Sequence, residues 1–358
     1  MGIDANLILI GDTSKIKFAS PNIIKEPIAN NERKNLIGRI FKSRKIAKIM
    51  GDRIQDLNTS DILYIRYPLT ITYYPIVFFK LFRKCKVIFE YNTYVSKELL
   101  LNHQYLDSFF EYFFGNFVRY QADAGIGVTN EIMETQRKKI GNKNKSFITI
   151  ANGIEVDSIH LRSPPTSIND NNFAMICVAN VSPWHGLDRL ILGIAQYSGK
   201  YSIKLHIVGK GTEINNLKTL CQQKNICNHI LFHGFLSGIN LDRLFEESHV
   251  AVGSLGIHRK GLSQTSELKA REYCARGIPY IIACSDPDFA DDFPYILRLP
   301  ADESPIDMEQ VIMFTLRVCQ DTNHPQKMRQ YAIENLDWSI KMKKLKEFLE
   351  NLITEDTP

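Results

Sequence analysis

The stretch 265–283, TSELKAREYCARGIPYIIA, carries residue types that could bind an anion and a sugar. Ser266 is a suitable N-cap for a short helix, and Gly277 ends that helix before an apolar strand. The free amides of residues 267–269 at such a helix start suit a diphosphate. Glu272, in the second turn, could accept hydrogen bonds from two vicinal hydroxyls, as carboxylates do with ribose. A solvated glutamate on a helix flank is the alternative interpretation.

Two earlier loops have similar potential. VANVSPWHGLDRLI, at 178–191, runs from a strand to a helix that begins near Gly186, where a ligand could approach the backbone. IVGKGTEINNLKTL, at 207–220, ends a strand in Gly209 and Gly211, without the G-x-G-x-x-G or Walker pattern. Each loop alone is also consistent with a structural turn. Taken together, the three loops favour a nucleotide with a diphosphate.

Short apolar runs alternate with helical stretches along the chain. The strand candidates are ANLILI, DILYIRY, KVIFEY, AGIGVT and SFITIA in the first half, and FAMICVAN, SIKLHIVG, HILFHGF, VAVGSLG and YIIACS in the second. This alternation predicts βαβ units, and the continuous apolar runs predict parallel sheets covered on both faces. The predicted fold class is α/β, with two Rossmann-like domains whose parallel sheets face a cleft. Ligands of such sheets bind beyond the carboxyl ends of the strands.

The length of 358 residues suggests two domains. We predict a first domain at 1–160, a linker at 161–172, a second domain at 173–335 and a C-terminal helix at 336–358. The linker prediction rests on RSPPTSINDNN, which is rich in Pro, Ser, Asn and Asp and has no apolar period.

The composition is that of an ordinary globular protein, with 44% hydrophobic and 23% charged residues. The sequence contains no apolar run of bilayer-spanning length and no signal-peptide pattern at its start. Its seven cysteines include no C-x-x-C pair, which argues against a disulfide framework or a zinc site and for reduced thiols in the cytosol. We therefore expect a cytoplasmic protein.

The net charge of +5 is unevenly distributed. Residues 1–150 contain 23 Lys and Arg against 14 Asp and Glu, a net charge of +9, and the remaining residues have a net charge of −4. A basic first half suggests an anionic partner. Stretches 39–54, 73–86 and 109–123 mix cations with aromatic residues, as suits an anionic membrane interface. The alternative is that these helices pack their apolar sides on the sheet and leave their cations in water.

The order of the motifs resembles a known enzyme family. VANVSPWHGLDRLI, LHIVGKG, ILFHGFL, VAVGSLG and ELKAREYCARGIPYI follow one another as in family 4 of the retaining glycosyltransferases, which have the GT-B architecture. GVTNEIMETQRKKI, FITIANGIEVDSI and LDWSIKM extend the resemblance over roughly the last two thirds of the chain. It implies a nucleotide-diphosphate sugar donor, retention of configuration, no metal or other cofactor, and a last helix that crosses back to the first domain. It also implies a saccharide or lipid-linked acceptor and a hexosyltransferase of cell-surface polysaccharide synthesis.

The resemblance assigns roles to individual donor-binding residues. Glu272 matches the glutamate that holds the ribose hydroxyls. The helix start that faces the diphosphate is matched by Ser266, Glu267 and Leu268. The loop near the base is matched by Gly209 and Gly211.

Three positions depart from the family pattern. Asn180 and His185 stand where the family usually has Arg and Lys, so the charge at the diphosphate is expected from Arg259, Lys260 or Lys269, or from His185 if it is protonated. Gln264 stands where the family has a first glutamate that contacts the sugar; it can hydrogen-bond hydroxyls but carries no charge.

The first domain offers two candidate catalytic residues, Glu90 and Asn92. They follow the strand KVIFEY, where the family often places an acceptor-side or catalytic residue. A strand-end turn with solvated polar groups is the alternative. The segment 5–10 resembles the family's second strand, so we also expect that the first βα unit is missing from this chain.

Three other classes stay open at this stage. A sugar-nucleotide epimerase of the same architecture would need an acid/base pair and no separate acceptor. A non-catalytic relative would explain the altered Arg, Lys and Glu positions. A nucleic-acid-binding protein would suit the basic charge, but no helix-turn-helix, RNP or zinc pattern supports it, so we expect no nucleic-acid partner.

Overall fold

The chain divides into two compact units, each with its own parallel sheet. The computed structural model describes residues 7–11, 23–27, 36–67, 84–101, 103–141, 145–164 and 171–354. The first unit comprises Met1–Gly127, Ile132–Thr149 and Leu345–Pro358, and the second comprises Val128–Glu131 and Ile150–Lys344. The last helix, α11 (Trp338–Thr354), contributes residues to both units.

The first unit contains a four-stranded parallel sheet in sequence order. Its strands are β3 (Ile62–Arg66), β4 (Lys86–Tyr91), β5 (Ala124–Gly127) and β6 (Ser146–Thr149), and its helices are α1 (Leu36–Gln55), α2 (Val95–Leu101), α3 (Tyr105–Gln121) and α4 (Asn130–Ile140). The first two residues of α4 group with the second unit. Two further strands, β1 (Leu7–Gly11) and β2 (Ile23–Pro27), pair in parallel with each other. In the described ranges these two strands form a sheet of their own, and the expectation of a missing first βα unit stays a prediction.

The second unit contains a six-stranded parallel sheet in the order β12-β11-β10-β7-β8-β9. Its strands are β7 (Asn172–Val178), β8 (Ser202–Val208), β9 (Ile230–Gly234), β10 (Val250–Val252), β11 (Tyr280–Ile282) and β12 (Ile296–Arg298). Its helices are α5 (Leu187–Gln196), α6 (Ile214–Gln223), α7 (Ile239–Glu247), α8 (Leu268–Arg276), α9 (Met308–Cys319) and α10 (His324–Asn335).

Both faces of the six-stranded sheet are buried. Met175 and Cys177 of β7 pack in one hydrophobic cluster with residues of α5, α6 and α9. The intervening Ile176 packs in a second cluster with residues of α7, α8 and α10. This alternation explains why the strands are continuous apolar runs in the sequence, and the predicted α/β class with parallel sheets is confirmed.

The unit boundary differs from the predicted domain boundary at 160. Val156 is buried in a core cluster of the second unit. Ile154 exchanges backbone hydrogen bonds with Leu336 and Trp338. Residues 150–160 therefore group with the second unit because they pack there. In the predicted linker, Arg162 is buried and donates to the Ser248 carbonyl at 2.9 Å, whereas 165–170 lie outside the described residues.

Some other predictions also fall outside the described residues. They include nearly all of the basic stretch 73–86 and the last four residues of the predicted C-terminal helix. Within the described part of the chain, no helix has the length and apolar character needed to cross a membrane.

Candidate functional site

The loops after β7 and β10 meet at the topological switch point of the second unit. The chain leaves β7 towards β8 on one side, whereas β10 lies on its other side, which is where α/β sheets bind ligands. The two loops are joined by backbone hydrogen bonds, since Leu255 N donates to His185 O at 3.0 Å and Gly256 N donates to Trp184 O at 3.1 Å. The sheet order therefore brings two of the three predicted loops together.

Three predicted ligand-contact glycines have a backbone role of their own. Gly186 has φ +61°, and a Cβ there would lie 2.7 Å from the carbonyl carbon of Leu255. Gly209 has φ +124°, and its Cβ would lie 1.9 Å from the Ala179 oxygen. Gly211 packs in the same way on Val181. These glycines let the loops after β7, β8 and β10 pack closely.

His185 is a buried, neutral hydrogen-bond donor. Its Nδ1 accepts from Ser182 N at 2.9 Å, which leaves the imidazole proton on Nε2. Burial, the charge of Lys269 and then that of Lys260 lower the pKa of His185 to about 2. The expectation that a protonated His185 supplies charge is therefore wrong, because the imidazole is uncharged near neutral pH.

Helix α8 begins one residue later than predicted. Glu267, not Ser266, is the N-cap residue, and Leu268 is the exposed first residue of the helix. The Ser266 hydroxyl accepts instead from Asn152 N at 2.8 Å, and the Ser266 carbonyl accepts from Asn152 Nδ2 at 2.6 Å. Asn152 thus fixes the chain that leads into α8, and the first amides of the helix lack intrahelical partners by geometry.

Lys269 supplies a positive charge at the start of α8. Its side chain is nine-tenths buried, and Nζ lies 3.6 Å from Glu267 Oε2. That carboxylate also accepts from Ser254 N at 3.2 Å in the loop after β10. Among the described residues Nζ has no hydrogen-bond partner. Burial of an ammonium whose N–H groups have no hydrogen-bond acceptor is unfavourable. Lys269 is therefore available to bind an anion.

Glu272 is oriented by an arginine on its own helix. Its Oε1 accepts from Arg276 Nε at 2.8 Å. Arg276 is itself held by Asp242 at 2.7 Å and lies over the Phe245 ring, with its guanidinium carbon 4.2 Å from the ring centroid. The glutamate side chain is 22% exposed, so it reaches the surface of the unit.

The structure corrects the role expected for Arg259. Its guanidinium donates to the Asp188 carboxylate at 2.9 and 2.7 Å, to Glu303 from Nε at 3.0 Å, and to Pro183 O at 2.6 Å. The hydrogen bonds from Arg259, together with one from His258, lower the pKa of Glu303 to about 2. Since two carboxylates already neutralise Arg259, it has no charge to spare for a diphosphate. The Nζ of Lys260 lies 4.7 Å from the centroid of the Trp184 ring.

Gln264 is engaged with Glu131, which the sequence did not single out. Gln264 Oε1 accepts from Glu131 N at 3.1 Å, at the first turn of α4. Glu131, Asn152 and Arg276 are the residues that sequence reasoning missed. Only Arg276 could have been found from the sequence, because its i,i+4 spacing from Glu272 predicts a contact on one helix. Glu131 and Asn152 could not, because their hydrogen-bond partners lie more than a hundred residues away in the chain.

The remaining candidates are dispersed. Asn180 is exposed after β7. Glu90 and Asn92 lie at the carboxyl end of β4 in the first unit, where Glu90 Oε2 accepts from Tyr64 Oη at 2.5 Å. The Asn92 Oδ1 atom is buried and has no hydrogen-bond partner in the described ranges. An orphaned buried oxygen at a strand end is compatible with a ligand-facing role.

The second unit matches a known sequence family. Residues 161–283 match the family model described as "Glycosyl transferases group 1". The resemblance to a glycosyltransferase family is confirmed, and the assignment to the retaining family 4 stays a prediction. No curated protein matches the chain.

Solved structures extend the likeness to the fold of nearly the whole chain. Sucrose-phosphate synthase from Thermosynechococcus elongatus has a TM-score of 0.68 at 14% identity, over 95% of this chain and 86% of that one. Anabaena HepE in complex with UDP and glucose has a TM-score of 0.62 at 15% identity, over 92% and 87%. The lipopolysaccharide outer core galactosyltransferase WaaB has a TM-score of 0.57 at 14% identity, over 94% and 85%. The fold is therefore of the GT-B glycosyltransferase type.

The second unit thus offers three kinds of group around one sheet edge. These are a helix start with a buried ammonium, a neutral imidazole N–H and a carboxylate oriented by an arginine. An anion with an attached hydroxylated group fits this set. In the described residues, no cluster of three or more His, Cys, Asp and Glu has the arrangement of a metal site, and the predicted independence from metal stays a prediction.

Proposed function

We propose that the protein transfers a sugar from a nucleotide-diphosphate sugar to a saccharide or lipid-linked acceptor, with retention of configuration. The observation that carries this proposal is the buried ammonium of Lys269 at the start of α8, beside the switch point of the sheet, which has an ion-pair partner in Glu267 but no hydrogen-bond partner among the described residues. A leaving diphosphate gains negative charge as the glycosidic bond breaks, and a preorganised cation with helix amides stabilises that charge.

Each remaining donor residue has a distinct part in this scheme. His185 Nε2–H donates to a phosphate oxygen without adding charge. Glu272, held by Arg276, accepts from the two ribose hydroxyls. Gly209 and Gly211 hold the loop near the base closely against Ala179 and Val181, and Glu90 and Asn92 serve the acceptor side. HepE, which is similar in fold, binds UDP, and this supports a nucleotide sugar as the donor; WaaB supports a role in cell-surface polysaccharide synthesis.

Donor binding tests the proposal directly. We would measure thermal stabilisation and calorimetric affinity with UDP-glucose, UDP-galactose, UDP-N-acetylglucosamine and GDP-mannose. Glu272→Gln keeps an oxygen for Arg276 but removes the charge that strengthens the ribose hydrogen bonds, so affinity should fall about tenfold. Glu247→Gln, the same change at an exposed position on α7, should bind like the wild type. Stabilisation by no member of this panel would contradict the proposal.

The products then separate the alternatives. Transfer to a lipid-linked acceptor, with the anomeric configuration of the donor kept in an NMR spectrum of the product, supports the retaining transferase. An epimerised nucleotide sugar without acceptor would indicate the epimerase. Binding with neither transfer nor hydrolysis would indicate the non-catalytic relative.

We also propose that the first unit contacts an anionic membrane surface through α3. The helix buries Glu111 and Arg119, which form an ion pair, on its inner face. Its outer face exposes aromatic side chains: Tyr105, Phe109, Tyr112, Phe113 and Tyr120. An ordinary surface helix buries its apolar side chains and exposes its charged ones, whereas α3 does the reverse. A row of exposed aromatic side chains suits the interface of a bilayer. The net charge of +9 on residues 1–150 favours anionic lipids.

A further inference from the structure

Glu131 and Gln264 form two reciprocal hydrogen bonds, in each of which the backbone N–H of one residue donates to a side-chain oxygen of the other. Glu131 Oε2 accepts from Gln264 N at 2.9 Å, from Ser263 N at 2.8 Å and from Ser263 Oγ at 3.1 Å. Gln264 Oε1 in turn accepts from Glu131 N at 3.1 Å. Both side chains therefore occupy the same small volume. All three residues belong to the second unit.

The loop that carries Gln264 is fixed in place. Ser285 N donates to Ser263 O at 2.9 Å, and Thr265 N donates to Ser285 O at 2.9 Å, so the loop is tied to the chain that follows β11. Glu131 lies in the first turn of α4, where a carboxylate is favoured by the helix dipole. The backbone of the loop that carries Gln264 is therefore preorganised.

We propose that Glu131 supplies to the donor sugar the carboxylate that the family resemblance expects at position 264; this rests on the proposed function. All three donors that contact the Glu131 carboxylate bind Oε2, and among the described residues no donor contacts Oε1. Oε1 is thus an open acceptor for a sugar hydroxyl. Gln264 has its oxygen occupied, so it presents its Nε2 hydrogens, which a hydroxyl oxygen accepts.

The pair explains why position 264 carries an amide. A glutamate at 264 would place a second carboxylate next to that of Glu131, and two neighbouring like charges disfavour each other. The amide removes the repulsion and adds a donor. The donor sugar would then meet a single carboxylate, that of Glu131, in place of a carboxylate at position 264.

Glu131→Gln tests the assignment because it keeps an oxygen for Ser263 and Gln264 but removes the charge. The readouts are the affinities for the best nucleotide sugar of the panel and for its bare nucleoside diphosphate. We expect the nucleotide sugar to bind about tenfold more weakly and the bare diphosphate to bind as before, because only the sugar meets the carboxylate. Glu134→Gln, the same change on the exposed side of α4, is the matched control and should bind both as the wild type does.

An exchange of the two side chains completes the test. Gln264→Glu alone should weaken sugar binding by repulsion, and Glu131→Gln with Gln264→Glu should recover most of the wild-type affinity, since one carboxylate and one amide are again present. The assignment is overturned if Glu131→Gln leaves the sugar affinity unchanged, or if it weakens nucleotide sugar and bare diphosphate equally, as a purely structural brace would. A wild type that binds no nucleotide sugar overturns the proposed function itself.

Discussion

Lys269 and Arg259 are both cations of the predicted donor site, but their surroundings give them opposite roles. Lys269 Nζ is buried without a hydrogen-bond partner among the described residues, whereas Arg259 satisfies two carboxylates and a carbonyl. A group whose burial is unfavourable in the free protein stabilises a ligand; a group with all its partners in place stabilises the fold.

Lys269→Met should therefore lower donor affinity about tenfold while changing the free energy of unfolding by less than about 1 kcal/mol, because relief of the buried charge offsets the loss of its ion pair with Glu267. Arg259→Met should lower the free energy of unfolding by about 1 kcal/mol and leave donor affinity nearly unchanged, because it removes the ion pairs with the solvent-exposed carboxylates of Asp188 and Glu303. Chemical denaturation and calorimetry on the same two variants check both expectations. If Arg259→Met weakened donor binding and Lys269→Met did not, Arg259 would be the residue that binds the diphosphate.

His185 gives a pH-dependent signature. Its pKa is about 2 in the folded protein and 6.5 in the unfolded chain, so between these values only the unfolded chain binds the proton. The contribution of His185 to the free energy of unfolding is therefore fully present above pH 6.5 and is lost as the pH falls below 6.5. From pH 7 to pH 5 the wild type should lose about 2 kcal/mol more free energy of unfolding than His185→Gln. A constant difference between the two proteins over this range would mean that His185 is not held neutral.

At the scale of single residues, sequence reasoning located the positions but not their partners. The short helix that carries Glu272 was predicted to within one residue at its start, and the roles given to Glu272 and Gln264 stay predictions. The neutrality of His185 could not be predicted, because it follows from burial and from Lys269, which is 84 residues away in the chain. Nor could the contact between Glu131 and Gln264, which no local pattern encodes.

At the scale of elements, the strands with continuous apolar runs were predicted best. KVIFEY coincides with β4, and most of the others agree within one to three residues at either end. Two strands were missed. IIKEP of β2 contains two charged residues and a proline, and β12 has only three residues and is held by its pairing with β11. Pairing partners distant in sequence give such segments their structure, so propensity alone cannot reveal them.

The close packing of the loops after β7 and β8 depends on Gly209. Gly209→Ala should lower the free energy of unfolding by at least about 3 kcal/mol, because the methyl group meets the Ala179 oxygen and the residue has positive φ. Gly234→Ala shares the positive φ but has open space around its Cβ, and should cost only about 1 kcal/mol. Urea denaturation of the two variants measures the difference. Equal losses would show that the loops can separate without penalty.

At the scale of the whole molecule, charge and apolar surface are both unequally distributed. Residues 1–150 have a net charge of +9 against −4 for the rest, and α3 of the first unit has a row of exposed aromatic side chains. The exposed cations of the described part of α1 include Arg44, Lys45 and Lys48. Together these features suit a surface that is both apolar and negatively charged.

Vesicle binding tests this view. The protein should co-sediment with vesicles that contain phosphatidylglycerol and much less with pure phosphatidylcholine, and the difference should shrink at 0.5 M salt because screening weakens the attraction, as the Debye length falls to about 4 Å. Phe109→Ser with Phe113→Ser should reduce binding several-fold by removing apolar area from α3. Met313→Ser with Ile333→Ser removes exposed apolar side chains from α9 and α10 of the second unit and should leave binding unchanged. Equal binding by the two double variants would mean that α3 is not the membrane-facing surface, since its aromatic row would then contribute no more than apolar residues elsewhere.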